Sequence, residues 1–266
     1  MEGMNNMPKY KNNQITEMVC QLRYSTILKI NNESDEDLSK FQERIQNDYP
    51  NYKAIDENVI DVKMSQAKER IDYLVPQIYR NSMKNYMFSS ENETERINLT
   101  CNFISYSTTK YECWDIFKEK FIRVFNDFHT VYGVKNYNRL GIRYINGFSK
   151  EELQIDESDN WNKYLDENIV GLLSKHSDVK VYTNNIEIPF EDSIQMQITC
   201  GLGTKQLPDR SVKPVFIMDK DTYKLGNISE VDINSILEKL HAHNSEMFES
   251  LIKQELREKM GVEKND

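Results

Sequence analysis

Glycine and proline are scarce in this chain of 266 residues, at 9 and 6, and histidine is scarcer still, at 4. So few glycines and prolines exclude collagen-like and low-complexity architectures. So few histidines leave little for imidazole acid–base chemistry. The four cysteines, Cys20, Cys101, Cys113 and Cys200, are far apart and show no CxxC spacing. They form neither a disulfide framework nor a zinc ribbon, and read as reduced thiols. No window approaches the run of about 18 apolar residues that a membrane span needs. The opening MEGMNNMPKYKNNQ has no apolar stretch behind a basic one, so a secretory signal is not visible. The expected location is the cytoplasm, with no membrane association.

What the chain does have is aromatic residues and charge. There are 15 Tyr and 11 Phe, and charged residues make up 29%. That aromatic supply separates it from disordered chains of similar charge. A net charge of −9 argues against broad, nonspecific nucleic-acid binding.

Strand and helix periods are both readable. In QITEMVCQLRY (14–24), Met18, Cys20, Leu22 and Tyr24 share one face, as in a half-buried strand. Leu38, Phe41 and Ile45 keep helical spacing before Pro50. A strand is expected at 58–64. Pro76 leaves 66–84 ambiguous, and a hairpin follows over 85–106 with its turn at Ser89–Thr94. Its second strand would place Ile97, Leu99, Cys101 and Phe103 on one side. The spacing of Cys113, Phe117, Phe121, Val124, Phe128 and Val131 predicts a long amphipathic helix, opened by a Thr109/Glu112 capping box and closed at Gly133.

The order then restarts. A strand over 137–146 turns Leu140, Ile142 and Tyr144 inward, and a capped helix carries Trp161, Leu165 and Ile169. One or two strands are expected at 178–190, then one through Ile194, Met196, Ile198, Cys200 and Leu202, and a short one at 213–218. A final helix starts at Ser229 and Asp232, with Ile233, Leu237, Leu240, Met247 and Leu251 as its stripe. Leu22-Arg23-Tyr24 and Ile142-Arg143-Tyr144 stand 120 residues apart, as do Phe41 and Trp161, Phe117 and Leu237, and Phe128 and Phe248. The expected fold is therefore α+β, built from two tandem strand–helix–strands–long-helix repeats over 1–133 and 134–266. They would form one pseudo-twofold unit, a mostly antiparallel curved sheet with helices on one face. By fold analogy alone this resembles the duplication of the TATA-box-binding protein.

The strand NNQITEMVCQLRY, the helix with FQERIQNDYP and the mid-chain NRLGIRYIN together resemble a sporadically distributed prokaryotic family of proteins of about this length. The family's landmarks are a "PI-x-E-V-V" strand and an "R-x-G-x-R-Y-x-N" strand. This chain departs from the first, with Gln14 in place of the usual Pro and Met18 in place of Val. The family has no established activity. Its patchy distribution implies mobile or defence-linked genes.

The candidate site lies on the sheet face opposite the helices, which by alternation carries Glu17, Gln21, Arg23, Arg96, Arg139 and Arg143. Arginines there suit a phosphate, a carboxylate or an acidic partner segment through bidentate bonds. The same residues also suit an antiparallel sheet that simply shows water a polar face, and Glu17 could pair with an arginine and silence the site. His241 and His243, two apart on a helix, point about 200° apart and cannot chelate one ion. A hydrogen-bonded histidine at a helix–sheet contact is expected around His243 and Asn244. Cys113 sits in the first turn of a helix, beside its buried stripe, with no base nearby in sequence. GLGTK (201–205) reads as a turn and lacks the Walker spacing. Asp219 and Asp221 read as a solvated turn pair, so no metal, cofactor or catalytic residue is expected. The leading expectation is a non-enzymatic binding or regulatory protein, working with a genetically linked toxin or antiviral-defence protein or with a second copy of itself. The alternative is an enzyme or binder whose phosphate-bearing or nucleic-acid ligand rests on the polar sheet face.

Overall fold

The computed structural model describes residues 8–31, 36–63, 77–176, 178–206 and 212–262. The protein is mixed α+β, with a nine-stranded antiparallel sheet and five α-helices among these residues. The strands are β1 (Ile15–Arg23), β2 (Asn51–Lys63), β3 (Gln77–Ser89), β4 (Glu95–Leu99), β5 (Phe103–Thr108), β6 (Asn136–Phe148), β7 (Thr183–Pro189), β8 (Ile194–Gln206) and β9 (Val212–Ser229). Their order across the sheet is β2-β3-β4-β5-β1-β6-β9-β8-β7. The helices are α1 (Glu36–Ile45), α2 (Trp114–Tyr132), α3 (Glu167–Val170), α4 (Ile233–Leu251) and α5 (Gln254–Met260). None is long and apolar enough to cross a membrane among the described residues.

The period-2 pattern of β1 and β6 explains their central place. Met18 faces Tyr144, Cys20 faces Ile142 and Leu22 faces Leu140 across the two strands, all six buried. Helices α1, α2 and α4 bury Phe41, Phe121, Phe128 and Leu240 into the same cluster as these strand residues. The cluster thus draws on residues from both sides of Gly133. A second cluster joins β8, β9 and α5 to the segment around Trp161.

Several expected boundaries move, each for a local reason. Helix α2 starts at Trp114 behind Cys113, which makes no side-chain cap bond, so Thr109 and Glu112 form no capping box. Thr109 is committed elsewhere: its N–H bonds Thr94 O at 2.9 Å, prolonging the β4–β5 ladder. The strand expected to run through Phe103 ends at Leu99, because Thr100 Oγ1 accepts the N–H groups of Asn102 and Phe103 and turns the chain. The helix expected around Trp161 is broken into two 3-10 turns and the short α3. Asp166 caps a fresh start there, and Gly171, at φ +48°, closes it. GLGTK is no turn but lies in β8, paired with β9 from Gly201–Ile217 to Lys205–Lys213. Strand β9 likewise runs on through Asp219 and Asp221 to Ser229. Neither Ser229 nor Asp232 caps α4 with its side chain. The doubtful stretch around Pro76 lies outside the described residues up to Gln77, where β3 begins.

Gly133 closes α2 at φ +64°, its N–H bonded to His129 O at 2.8 Å, and a Cβ there would touch nothing within 4 Å. Only left-handed backbone strain would oppose a side chain. Gly133→Ala should therefore cost about 1 kcal/mol in urea denaturation, and Gly133→Asn less. An unchanged midpoint for the alanine variant would count against this cap.

Candidate functional site

The polar sheet face is largely neutralised from within. Arg139 donates twice to the Asp221 carboxylate at 2.8 Å and once to Gln21 Oε1 at 3.3 Å, with its guanidinium 4.5 Å from the centre of the Tyr223 ring. It lies flat across Gly141, where a Cβ would stand 2.7 Å from Arg139 Nη1. Arg143 makes the matching two-point contact with Asp219, Nε donating at 2.8 Å. Asp219 and Asp221, not Glu17, are therefore the partners. They sit within a strand rather than in a solvated turn. Among the described residues Arg23 bonds only Gln21 Oε1, at 2.8 Å, and Arg96 makes no ion pair. The structure thus brings Gln21, Arg23 and Arg139 together, sets Arg143 apart with Asp219, and leaves Arg23 and Arg96 exposed.

The chemically unusual place lies on the other side of the sheet. The inward side chains of β9 run Phe216, Met218, Lys220, Thr222, so the alternation that buries apolar residues also buries an amine. Above it, the stripe of α4 is interrupted at Asn244, which is 1% exposed. Lys220 Nζ donates to Asn244 Oδ1 at 2.9 Å. The Asn244 amide in turn donates to Lys220 O at 3.2 Å and to Thr222 Oγ1 at 2.9 Å. No carboxylate lies within ion-pair distance of Lys220 among the described residues. Burial pulls its pKa down to about 7.

Lys220 lines a cavity of about 380 Å³ bounded by β6, α4, the start of α2 and residues 8–15. His241 and Tyr144 form its aromatic wall. The Tyr144 hydroxyl lies 3.0 Å from His241 Nδ1, and the imidazole stacks 4.3 Å from the Trp114 ring at 10°. Burial lowers the His241 pKa to about 4, so the ring is neutral, and burial raises that of the Tyr144 phenol well above its usual value. The hydrogen-bonded histidine expected at the helix–sheet contact is thus His241. His243 instead packs on Phe190, ring centres 4.4 Å apart. Cys113 also lines the cavity.

Two acceptors in the wall lack donors among the described residues. Gln14 gives its amide N–H to Asn12 Oδ1 at 2.8 Å, which leaves Oε1 buried without a partner, and Asn146 Oδ1 is buried likewise. Both residues are at least nine-tenths buried. The N-terminal segment is tied, beside the cavity, to α4 and to the C-terminal end of α5. Tyr10 donates to Glu249 at 2.8 Å, Lys11 and Asn12 donate their backbone N–H groups to Gly261 and Met260, and Arg257 also donates to Glu249, at 3.0 Å.

No cluster of three or more metal-ligating side chains occurs among the described residues. Compared with known protein families, with curated proteins and with solved structures, the chain matches none of them.

Proposed function

We propose that this is a non-enzymatic binding and regulatory protein whose ligand is a small molecule held in the cavity under α4. One observation carries the reading: among the described residues, a fully buried amine without a carboxylate partner and two buried acceptors without donors line the same space. Buried polar groups are ordinarily satisfied. At about 380 Å³ the space falls in the range of ligand sites and far exceeds one water. Trp114, Tyr144 and Phe248 suit an apolar or aromatic body, while Lys220, Gln14 and Asn146 meet its polar head.

The regulated partner in this reading is a protein, and the prokaryotic resemblance supports a genetically linked toxin or antiviral-defence effector, or a second copy of the chain. Arg23 and Arg96 are the surface available to it. A phosphate-bearing ligand on that face is the weaker reading, since Asp219 and Asp221 already occupy Arg143 and Arg139. Internal duplication belongs to the same proposal. Gln21 faces Gly141 directly across β1 and β6, and these residues are separated by the same 120 positions as the repeat, which supports a local twofold axis between them.

Native mass spectrometry of protein purified from its own host tests the reading. A released small molecule is expected, retained by Arg23→Ala and bound at least about tenfold more weakly by Lys220→Met, a difference near 1.4 kcal/mol. A preparation that releases nothing, and that no apolar acid, amine, alcohol or carbonyl compound stabilises against heat, would count against it.

A further inference from the structure

Among the described residues Lys220 has two hydrogen-bond acceptors, both on Asn244: Oδ1 at 2.9 Å and the backbone O at 3.5 Å. An ammonium has three hydrogens to place, whereas a neutral amine has two and a lone pair. The site therefore matches the neutral form. The titratable groups facing the amine are Tyr144 from β6, Cys200 from β8, Asp219 from its own strand, and His241 and Glu249 from α4. Asp219 is engaged by Arg143, and Glu249 by Tyr10 and Arg257. The rings of Phe248 at 4.6 Å and Tyr144 at 5.6 Å attract the cation. Desolvation outweighs them, and the amine titrates near pH 7. About half of the molecules then carry a nucleophilic amine at pH 7, against roughly one in 2,500 for an ordinary lysine.

We infer that Lys220 captures a carbonyl compound, an aldehyde or ketone on an apolar or aromatic body, as a reversible imine in this cavity. The inference rests on the cavity being a ligand site and names the chemistry of its occupant. The nitrogen lone pair forms a C–N bond to the carbonyl carbon as the C=O π pair moves to oxygen. A proton passes from nitrogen to that oxygen, giving a carbinolamine. The C–O bond then breaks as nitrogen's lone pair closes the C=N bond, the oxygen takes one more proton from a donor in the wall and leaves as water, and the proton still on nitrogen returns to that donor, leaving the neutral imine. No oxidant or reductant is needed, and hydrolysis reverses every step. Tyr144, its hydroxyl set 3.0 Å from the neutral His241 ring and its ring centre 5.6 Å from the amine, is the proton donor in this wall, with the imidazole as relay. Carbinolamine and water both carry O–H groups, for which Gln14 Oε1 and Asn146 Oδ1 are ready acceptors. Capture of this kind is binding rather than turnover.

The full-length protein is incubated at pH 7 with benzaldehyde and sodium cyanoborohydride, and its lysines are mapped by peptide mass spectrometry. Benzyl alcohol, which has the same body without the carbonyl, is tested in parallel by thermal shift. Lys220 should be benzylated at least about tenfold faster than any exposed lysine, from its larger neutral fraction. Lys220→Met should abolish that adduct alone. Should this variant fail to fold, the wild-type map decides by itself. Adducts spread over exposed lysines with Lys220 unmodified would overturn the imine. If benzyl alcohol still stabilised the protein, the cavity reading would survive. If it did not, and the protein from its own host released no small molecule, both would fall.

Discussion

Lys220→Met is expected to make the protein more stable at pH 7, and that advantage should shrink as the pH rises to 8.5. The folded amine titrates near 7 and an unfolded lysine near 10.4. Above pH 7 the unfolded chain therefore binds more protons than the native one, so this residue makes wild-type stability rise with pH. Between pH 7 and 8.5 the change is about 1.5 kcal/mol. Methionine fills a similar volume without a charge to desolvate, and leaves Asn244 Oδ1 short of one donor, so its net gain at pH 7 is about 1 to 3 kcal/mol. The window is bounded by other groups. His241, with its folded pKa drawn down to about 4, is neutral in the folded state at pH 7, and only about a quarter of unfolded histidines still carry a proton there, equally in both proteins. Cys20 and Cys200, whose thiols burial pushes up, act in the opposite direction once unfolded cysteines ionise near 8.5. Both proteins share those thiols. The quantity to measure is thus the difference between wild type and variant by urea denaturation at each pH. A difference independent of pH would mean that Lys220 is not buried as an amine short of partners.

Asn244→Leu should do the reverse and destabilise by about 3 kcal/mol. It removes the nearer acceptor of Lys220 and the donors to Lys220 O and Thr222 Oγ1, so three buried groups lose a bond at once. Joining it to Lys220→Met should leave the protein at least as stable as wild type, because the amine that needed an acceptor is gone, although Thr222 Oγ1 and the backbone O of residue 220 still lack their donor. Simple addition of a gain of about 2 kcal/mol and a loss of about 3 kcal/mol would instead leave it about 1 kcal/mol below wild type, so a coupling of at least about 1 kcal/mol is expected in the double-mutant cycle. Additive effects would show that the two side chains do not act as a unit.

Much of this was readable in the chain, and the part that was not has a physical cause. β1 and β6 keep strict alternation, and α2 repeats aromatic residues over five turns, so their inward faces follow from period alone. Asn244 was visible as a break in the stripe of α4. Lys220 was missed because MDKDTYK looks like the end of a strand, although Phe216, Met218, Lys220 and Thr222 keep one parity throughout. Continued parity was the signal, and it was masked by the outward charges of Asp219 and Asp221. Those aspartates answer Arg143 and Arg139 across a strand pairing whose register no local pattern encodes. The cavity was least legible, since Tyr10 and Glu249 meet across 239 positions.

That separation has a consequence during synthesis. The cavity's walls include α4 and Met260 of α5 as well as residues 8–15, β6 and the start of α2, so a ribosome-bound chain can assemble the β1–β5 portion of the sheet long before it owns the space. A molecule seated there would recognise only chains translated through α5, and would act as a fastener applied after the last turn. Truncated products would lack it, and would present Ile15 and Trp114 uncovered to the quality-control machinery of the cell.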